Sequence, residues 1–489
     1  MTAAHRSWLP WALAAGAFVA IKLWIFVAMP PIGDEAYYWL WGQHPALSYF
    51  DHPPLHAWLL GLVSQLFGWN LYALRALTWV TFGATLWIFW DWSKRLAPEA
   101  PSLYFSRTTA IYLASPLFLA MGSIAFHDHL LIALCLASAH FMLLFAERFT
   151  RDGTGFRWLY LAALLLGLAT LTKYNAVFLG LAFLAFLLFQ PGMRKSLATP
   201  HPWLAALLSV AVQAPVFWWN FAEGFASYRF HLAERWVDPQ QATPAQLPVF
   251  ILVTIIVLSP VVVWGTIRLI RHRPGVGFES TAKHLAMWLL GISSAAMVGL
   301  AFFVTVFFYW NIVGFLVVMP LLAIVLRAAW LQWAHIAYGL VFGIALLVNQ
   351  TVVPLPALFG QFHWVTSSIY GWDEVATRVR ALQNEHPDAF IAATTYGTAS
   401  QLAFALKDAN VVALSPRHDQ FDFWFDPEAH VGQPAIIVAD PFYVIGEVGD
   451  VFDGLQLVEQ LAITRAGTAI FQPQIYFARA YRPPLPPAE

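Results

Sequence analysis

The chain has a single cysteine, Cys135, set inside an apolar run. Disulfide frameworks and cysteine metal sites are thereby excluded. Charge is scarce too: Asp, Glu, Lys and Arg make up 11% of the residues, against about 25% in ordinary soluble domains, and they nearly cancel to a net charge of −1. With no basic stripe or tail, the chain lacks the electrostatic footprint of a nucleic-acid partner. It shows no glycine-rich phosphate loop, no catalytic-triad spacing and no internal repeat, and its one low-complexity tract is the end PPLPPAE. No cleavable leader is evident, because the first apolar segment is long enough to span and lacks a small-residue cleavage site.

What fills the space is apolar and aromatic. Hydrophobic residues make up 60% of the chain, with 24 Trp and 40 Phe, the composition of a membrane protein with many helix ends in the interfacial belt. A span needs about 20 apolar residues. Eleven are expected, at 9–30, 70–91, 107–124, 129–147, 157–172, 175–191, 202–220, 248–268, 284–308, 311–327 and 333–353. Lys22 and Arg75 fall inside two of them and are expected to snorkel or face the bundle interior.

The loops give a separate test. Arg6; Lys94, Arg95 and Arg107; Arg148, Arg151 and Arg157; Arg194 and Lys195; Arg268, Arg271, Arg273 and Lys283; and Arg327 collect in alternate loops. The opposite loops carry Asp34, Glu35, Asp51, Asp128, Lys173 and a mixed segment near Arg229. By the positive-inside rule the N-terminus is cytoplasmic, and the acidic loops and C-terminal tail face outward. An odd number of spans meets that requirement.

From about residue 354 the apolar runs shorten and strand-length pieces appear: AFIAAT, NVVAL, AIIVAD and TAIFQPQIYFARAY, with the helical pattern SQLAFALKD among them. The expected fold is therefore an α-helical polytopic membrane domain over 1–353, with an outer loop at 31–69, and an outward-facing α/β domain over 354–489.

Within the outer loop, GDEAYYWLWGQHPALSYFDHPPLHAW packs Asp34, Glu35, Asp51, His52 and His56 among aromatics and prolines. Ionisable groups beside a bilayer are costly unless they face water, a partner or a substrate. Asp34 is expected near the N-cap of a short interfacial helix, and His52 near the N-cap of a second helix opened by Pro53 and Pro54. The prolines remove two backbone donors, so side chains such as His52 would do more of any anion binding. Capping alone accounts for Asp34 and Glu35 at about 1 kcal/mol; the functional reading is a general base or orienting group. Tyr37, Tyr38, Trp39, Trp41, Tyr49 and Phe50 suit a sugar face or a lipid tail, and interfacial anchoring explains them equally well.

His127-Asp128-His129 stands at a later outer turn, and Lys173 in LTKYN at the next. A polar hairpin and a snorkelling lysine are the plain readings. Together with Arg229 they read instead as a polar cavity at the outer interface, where cations hold a phosphate and carboxylates hold a sugar or activate a hydroxyl. A divalent ion on these carboxylates, with His127 and His129 as ligands, is chemically allowed, although the spacing matches no ligand signature.

At these residues the chain resembles the polytopic glycosyltransferases of the GT-C type, especially the branch with lipid A aminoarabinose transferase and the rhizobial galacturonic acid transferases, and more distantly the protein O-mannosyltransferases. The similarity runs through GDEAYYWLW, YFDHPPL, HDHLL, LTKYNAVFLG, APVFWWNFAEGFASYRFHLAER and YGWDEV, with YGTASQLAFAL and HDQFDFW further on. It implies a transferase of the bacterial inner membrane, working at the periplasmic face. The donor would be a polyprenyl-phosphate-linked sugar and the acceptor a membrane lipid or glycan, with lipid A or core saccharide ahead of another envelope glycan and of protein.

Asp34 falls on the family's first-loop catalytic aspartate. Asp51 and His52 fall where the aminoarabinose transferases have Glu-Lys before proline, so histidine replaces the phosphate-binding lysine and that role passes to Lys173 or Arg229. Tyr37 stands where those relatives have an arginine. The expected site is thus Asp34, Glu35, Asp51 and Asp128 as catalytic carboxylates, with His52, Lys173, Arg229, Tyr49 and Tyr37 on the donor phosphate or substrate, and one inverting displacement. The rival reading is a proton-coupled transporter or flippase of a lipid-linked saccharide. Such transporters commonly carry internal repeats and interrupted helices near mid-membrane, whereas here no repeat is visible and the candidate site residues fall at the outer interface.

Overall fold

In hydrocarbon a backbone must satisfy its polar groups within its own segment, so long apolar runs fold as helices. The structure, a computed structural model, describes residues 8–233 and 246–482. Among the described residues five helices are long and apolar enough to cross a bilayer: Leu9–Ala28, Leu71–Leu96, His127–Asp152, Phe278–Leu300 and Ala329–Thr351. Two bent pairs, His201–Ala211 with Ala214–Ala222 and Gln246–Leu258 with Pro260–Arg271, raise the number to seven if each pair is one span. Three further expected spans fall on the shorter apolar helices Phe156–Thr170, Tyr174–Phe189 and Ile312–Val325. The expected span 107–124 instead falls on two helices, Pro101–Ala114 and Pro116–Met121, divided where Pro116 lacks an amide to continue the ladder.

The chain divides into two compact units: one of Met1–Trp24, His52–His56 and Arg75–Ile344, the other of Ile25–Asp51, Ala57–Leu74 and Ala345–Glu489. In the first, the His127–Asp152 helix is mostly buried and packs along Phe156–Thr170. The latter meets the next helical pair at Gly167, where an added Cβ would stand 3.0 Å from both the Ser209 carbonyl and Val212 Cβ. Gln213 donates to the Gly167 carbonyl at 2.7 Å. The bend of 98° between Gln246–Leu258 and Pro260–Arg271 comes at Ser259, whose φ of +83° is rare for a side-chain-bearing residue. Pro260 steers Ser259 away from helical geometry. The Ser259 hydroxyl accepts the Val262 amide at 3.3 Å and lies 2.7 Å from His335 Nδ1, which fixes the break. Lys22 and Arg75 face the interior rather than snorkel: both are buried, and Lys22 Nζ donates to Thr78 at 3.2 Å and to the Gly122 carbonyl.

The second unit contains a five-stranded sheet in the order Val412–Ala413, Phe390–Ala393, Ala435–Ala439, Gln474–Ala478, Gln456–Gln460. The first three are parallel and the last two join antiparallel. Ala435–Ala439 is buried along its length, as a central strand covered on both faces should be. The expected strands AFIAAT, NVVAL and AIIVAD and the helix in SQLAFALKD are all present. TAIFQPQIYFARAY is not one strand; Pro473 interrupts it, and Thr468–Phe471 pairs with Ile463–Arg465 outside the main sheet. The Gly33–Gln43 helix lies in this unit and packs on the Tyr396–Leu406 helix, with Gly33 and Gly397 at the close approach. Its N-cap is Ile32, two residues before Asp34, so Asp34 lies inside the first turn. The next helix begins at Leu55, after both prolines, so His52 is not its N-cap.

Candidate functional site

The second unit gathers acids, phenols and one guanidinium around the first turn of the Gly33–Gln43 helix. Tyr396, the first residue of its own helix, donates its hydroxyl to Asp34 Oδ1 at 3.1 Å. Loss of solvation pushes the Asp34 carboxyl up to about 6; the nearby charges of Asp51 and Glu35 add to this, and the Tyr396 hydrogen bond and Arg417 oppose it. Asp51 accepts from the Tyr37 hydroxyl at 2.9 Å and from Arg417 at 2.9 Å. The Arg417 guanidinium carbon also lies 4.7 Å from the centroid of the Tyr396 ring, a cation–π contact.

A second layer fixes these groups. The Gln420 amide donates to the Tyr37 oxygen at 2.8 Å, and Gln420 Oε1 accepts the Phe50 amide at 2.7 Å. Asp419 is buried, and desolvation pushes its carboxyl up to about 7 although the Phe421 amide bonds to it. Glu35 accepts the Ile32 amide at 3.1 Å, a helix-capping contact. Tyr49, expected on substrate, is fully buried; its hydroxyl lies 2.8 Å from the Trp41 carbonyl and its ring stacks on Trp41 at 4.7 Å. Its hydroxyl thus ties the turn between the Gly33–Gln43 helix and Asp51.

The first unit holds the other group. Lys173 Nζ bridges both carboxylate oxygens of Asp128 at 2.9 and 2.8 Å, and both residues are buried. The same ammonium lies 4.7 Å from the centroid of the Tyr309 ring. The pair forms because Asp128 is in the first turn of the His127–Asp152 helix, where a carboxylate is favoured, while Lys173 follows the end of Phe156–Thr170, where a cation is favoured. Beside them the rings of His52 and His127 are 4.4 Å apart, and His231 is 5.2 Å from the Tyr174 ring. Arg229 is exposed on the short Ala226–Leu232 helix, one residue from Tyr228, whose amide donates to Asn220 at 3.2 Å.

His127 and His129 do not converge as metal ligands. His129 lies 3.2 Å from His56 Nε2 through one nitrogen and 3.0 Å from the Thr81 hydroxyl through the other. Among the described residues no group of three or more His, Cys, Asp or Glu is arranged to hold a metal ion.

Sequence reasoning missed Tyr396, Arg417, Asp419 and Gln420. The signal was present in part, since YGTASQLAFAL and HDQFDFW stood out as shared pieces. Nothing in spacing, however, ties position 417 to position 51.

Residues 51–219 match the family described as dolichyl-phosphate-mannose-protein mannosyltransferase. The chain is 24% identical over 400 residues to the lipid A galacturonosyltransferase RgtD of Rhizobium johnstonii, covering 77% of this chain and 78% of that one. Its fold is similar to that of ArnT from Cupriavidus metallidurans in the apo state, with a TM-score of 0.62 at 14% identity over 96% of this chain and 98% of the other. The same protein bound to undecaprenyl phosphate gives 0.61 over the same shares. These likenesses bear out the resemblance to membrane glycosyltransferases of the GT-C type, and the fold is that of ArnT.

Proposed function

We propose that the chain is an inverting, polyprenyl-phosphate-sugar-dependent glycosyltransferase of the bacterial inner membrane, with eleven crossings, a cytoplasmic N-terminus and a periplasmic C-terminal domain. Its acceptor is a lipid or glycan exposed at the periplasmic face, with lipid A or core saccharide as first choice. The similarity to a lipid A galacturonosyltransferase and the shared fold with a protein known bound to undecaprenyl phosphate support this reading. The observation that carries it is Asp34: a carboxyl in a phenol- and guanidinium-lined setting, with its pKa at about 6, where a general base for a hydroxyl is useful near neutral pH.

In the proposed step the acceptor hydroxyl oxygen attacks the anomeric carbon while its proton passes to Asp34. The bond from that carbon to the phosphate oxygen breaks, and its electron pair stays on the lipid phosphate. Positive charge grows on the sugar and negative charge on the leaving oxygen, so cations belong at the phosphate and carboxylates near the sugar. Asp51 holds Arg417 and Tyr37 in place; Glu35 keeps the first helical turn formed under Asp34. Lys173, with Asp128 fixing its ammonium, is assigned to the donor phosphate, together with His52 and Arg229. A phosphate acceptor is already ionised and would need Asp34 only for positioning.

The test is transfer by the full-length protein in lipid nanodiscs, from an undecaprenyl-phosphate-linked sugar to lipid A. Asp34→Asn should insert normally and lose transfer by about 10²- to 10⁴-fold, the worth of a positioned base. Unchanged transfer would remove Asp34 from the mechanism. Mass spectrometry of envelope lipids from cells with and without the gene identifies the acceptor.

A further inference from the structure

Among the described residues, one pocket to which the proposed chemistry gives no task is rich in arginine. It is a cavity of about 600 Å³ in the first unit, lined by Trp264, Arg268, Arg271 and His272 at the end of the Pro260–Arg271 helix and by Arg327 and Leu331 across from them. The walls are held closely. A Cβ on Gly265 would stand 3.1 Å from the Leu326 side chain, so glycine there lets the helix approach the segment that carries Arg327. That segment is pinned from behind: Arg107 donates to Gln332 Oε1 at 3.0 Å and to the Leu326 carbonyl at 3.1 Å. Arg327 itself donates to the Ile324 carbonyl at 3.1 Å.

The charge in the pocket is uncompensated. Among the described residues, Arg268, Arg271 and Arg327 form no salt bridge to a carboxylate. The acid at this end, Glu279, is taken by His272 at 2.7 Å. A helix C-terminus favours cations, which accounts for Arg268 and Arg271 singly. The positive-inside rule accounts for Arg327 on the same side, but neither rule accounts for three guanidiniums lining one cavity. Beside the guanidiniums the pocket lining turns apolar, with Trp264, Ile324, Val325 and Leu331, and Trp264 is exposed. Charge and grease thus adjoin in the order of a lipid, headgroup first and acyl chain second.

We propose that this pocket binds an anionic glycerophospholipid of the leaflet on the arginine-rich face, its phosphate held by Arg268, Arg271 and Arg327 and its chains lying along Trp264 and Leu331. Guanidiniums match phosphate oxygens with two parallel donors, and the cavity is of headgroup size. The site is separate from the residues assigned to sugar transfer, so its test does not depend on that assignment.

The experiment measures phospholipid retained by full-length protein purified in mild detergent, by native mass spectrometry, for wild type and for the triple variant Arg268→Gln, Arg271→Gln, Arg327→Gln. Wild type is expected to keep phosphatidylglycerol over phosphatidylcholine, and the triple variant to lose that preference by about tenfold or more, as for lost charge-assisted contacts. A control triple, Arg157→Gln, Arg194→Gln, Lys195→Gln, removes basic side chains outside the pocket and should keep the lipid. Should the triple insert poorly, Arg327→Gln alone is read in the same assay, with a smaller loss in the same direction. Equal retention by wild type and pocket variants, or equal loss in the control, would overturn the site. So would full displacement of the lipid by millimolar inorganic phosphate, since the pocket would then serve a soluble anion.

Discussion

Arg417 and Asp51 stand 366 positions apart in the chain and meet at 2.9 Å. The guanidinium side chain is about half exposed, so the pair is worth little to stability, about 1 kcal/mol or less. Its value lies in what it orients: Asp51 also takes the Tyr37 hydroxyl, and Arg417 also lies over Tyr396, the donor to Asp34. Arg417→Ala is therefore expected to reduce transfer by about tenfold or more while the melting temperature in detergent moves by only a few degrees. Arg417→Lys should recover little, because a point-charge ammonium is a poor match for a guanidinium that meets Asp51 while lying over the Tyr396 ring. Full activity in Arg417→Lys would show that only charge matters there.

How far this was legible in the sequence follows from the range of each interaction. Apolar run length and the period of short strands are local signals, and the long helices and the first three strands came from them. Asp34 stood out because an acid beside a bilayer is costly. Arg417 did not, because a lone arginine in a polar domain has an ordinary solvated reading until the fold brings it to Asp51. Tyr37 gave no hint of its partner either, since its hydroxyl meets Asp51, which Arg417 also contacts, only once the chain is folded. Tyr49 read equally as a sugar platform or an interfacial anchor, because aromatic residues look alike in sequence whatever their rings meet.

The pH profile tests Asp34 directly. Its carboxyl is held at about 6, so it is ionised and able to accept a proton above that pH and neutral below it. With a hydroxyl acceptor, kcat/KM should fall about tenfold per pH unit below 6, the form expected of one essential base. Tyr396→Phe removes a hydrogen bond that favours the charged form, so the acidic limb should move to higher pH. Asp419 titrates nearby, at about 7. Asp419→Asn should leave the limb in place; a limb that vanished with it would reassign the base.

Glycine at the crossing of the Gly33–Gln43 and Leu55–Phe67 helices offers a packing test. A Cβ on Gly61 would stand 2.5 Å from the Gly42 carbonyl oxygen, and one on Gly42 would stand 2.6 Å from the Gly61 amide nitrogen. Neither neighbour is a flexible side chain, so the helices must separate. Gly61→Ala should destabilise by about 1–3 kcal/mol, as for other overpacked contacts, read as a lower melting temperature in detergent. Gly16→Ala, which meets nothing within 4 Å, is the control and should be silent.

Lys173 and Asp128 give the sharpest division between folding and function. Their pair is buried, with two oxygens on one ammonium at 2.9 and 2.8 Å. Removing one partner strands the other charge in a dry place, at a cost of about 3–5 kcal/mol, whereas removing both is milder. Lys173→Met and Asp128→Asn should each lower the melting temperature more than the double variant does. If Lys173 also holds the donor phosphate, the double variant regains stability yet still needs at least about tenfold more polyprenyl-phosphate sugar to reach half-maximal rate, with the acceptor dependence little changed. Restored stability with a normal donor dependence would leave the pair a purely structural one.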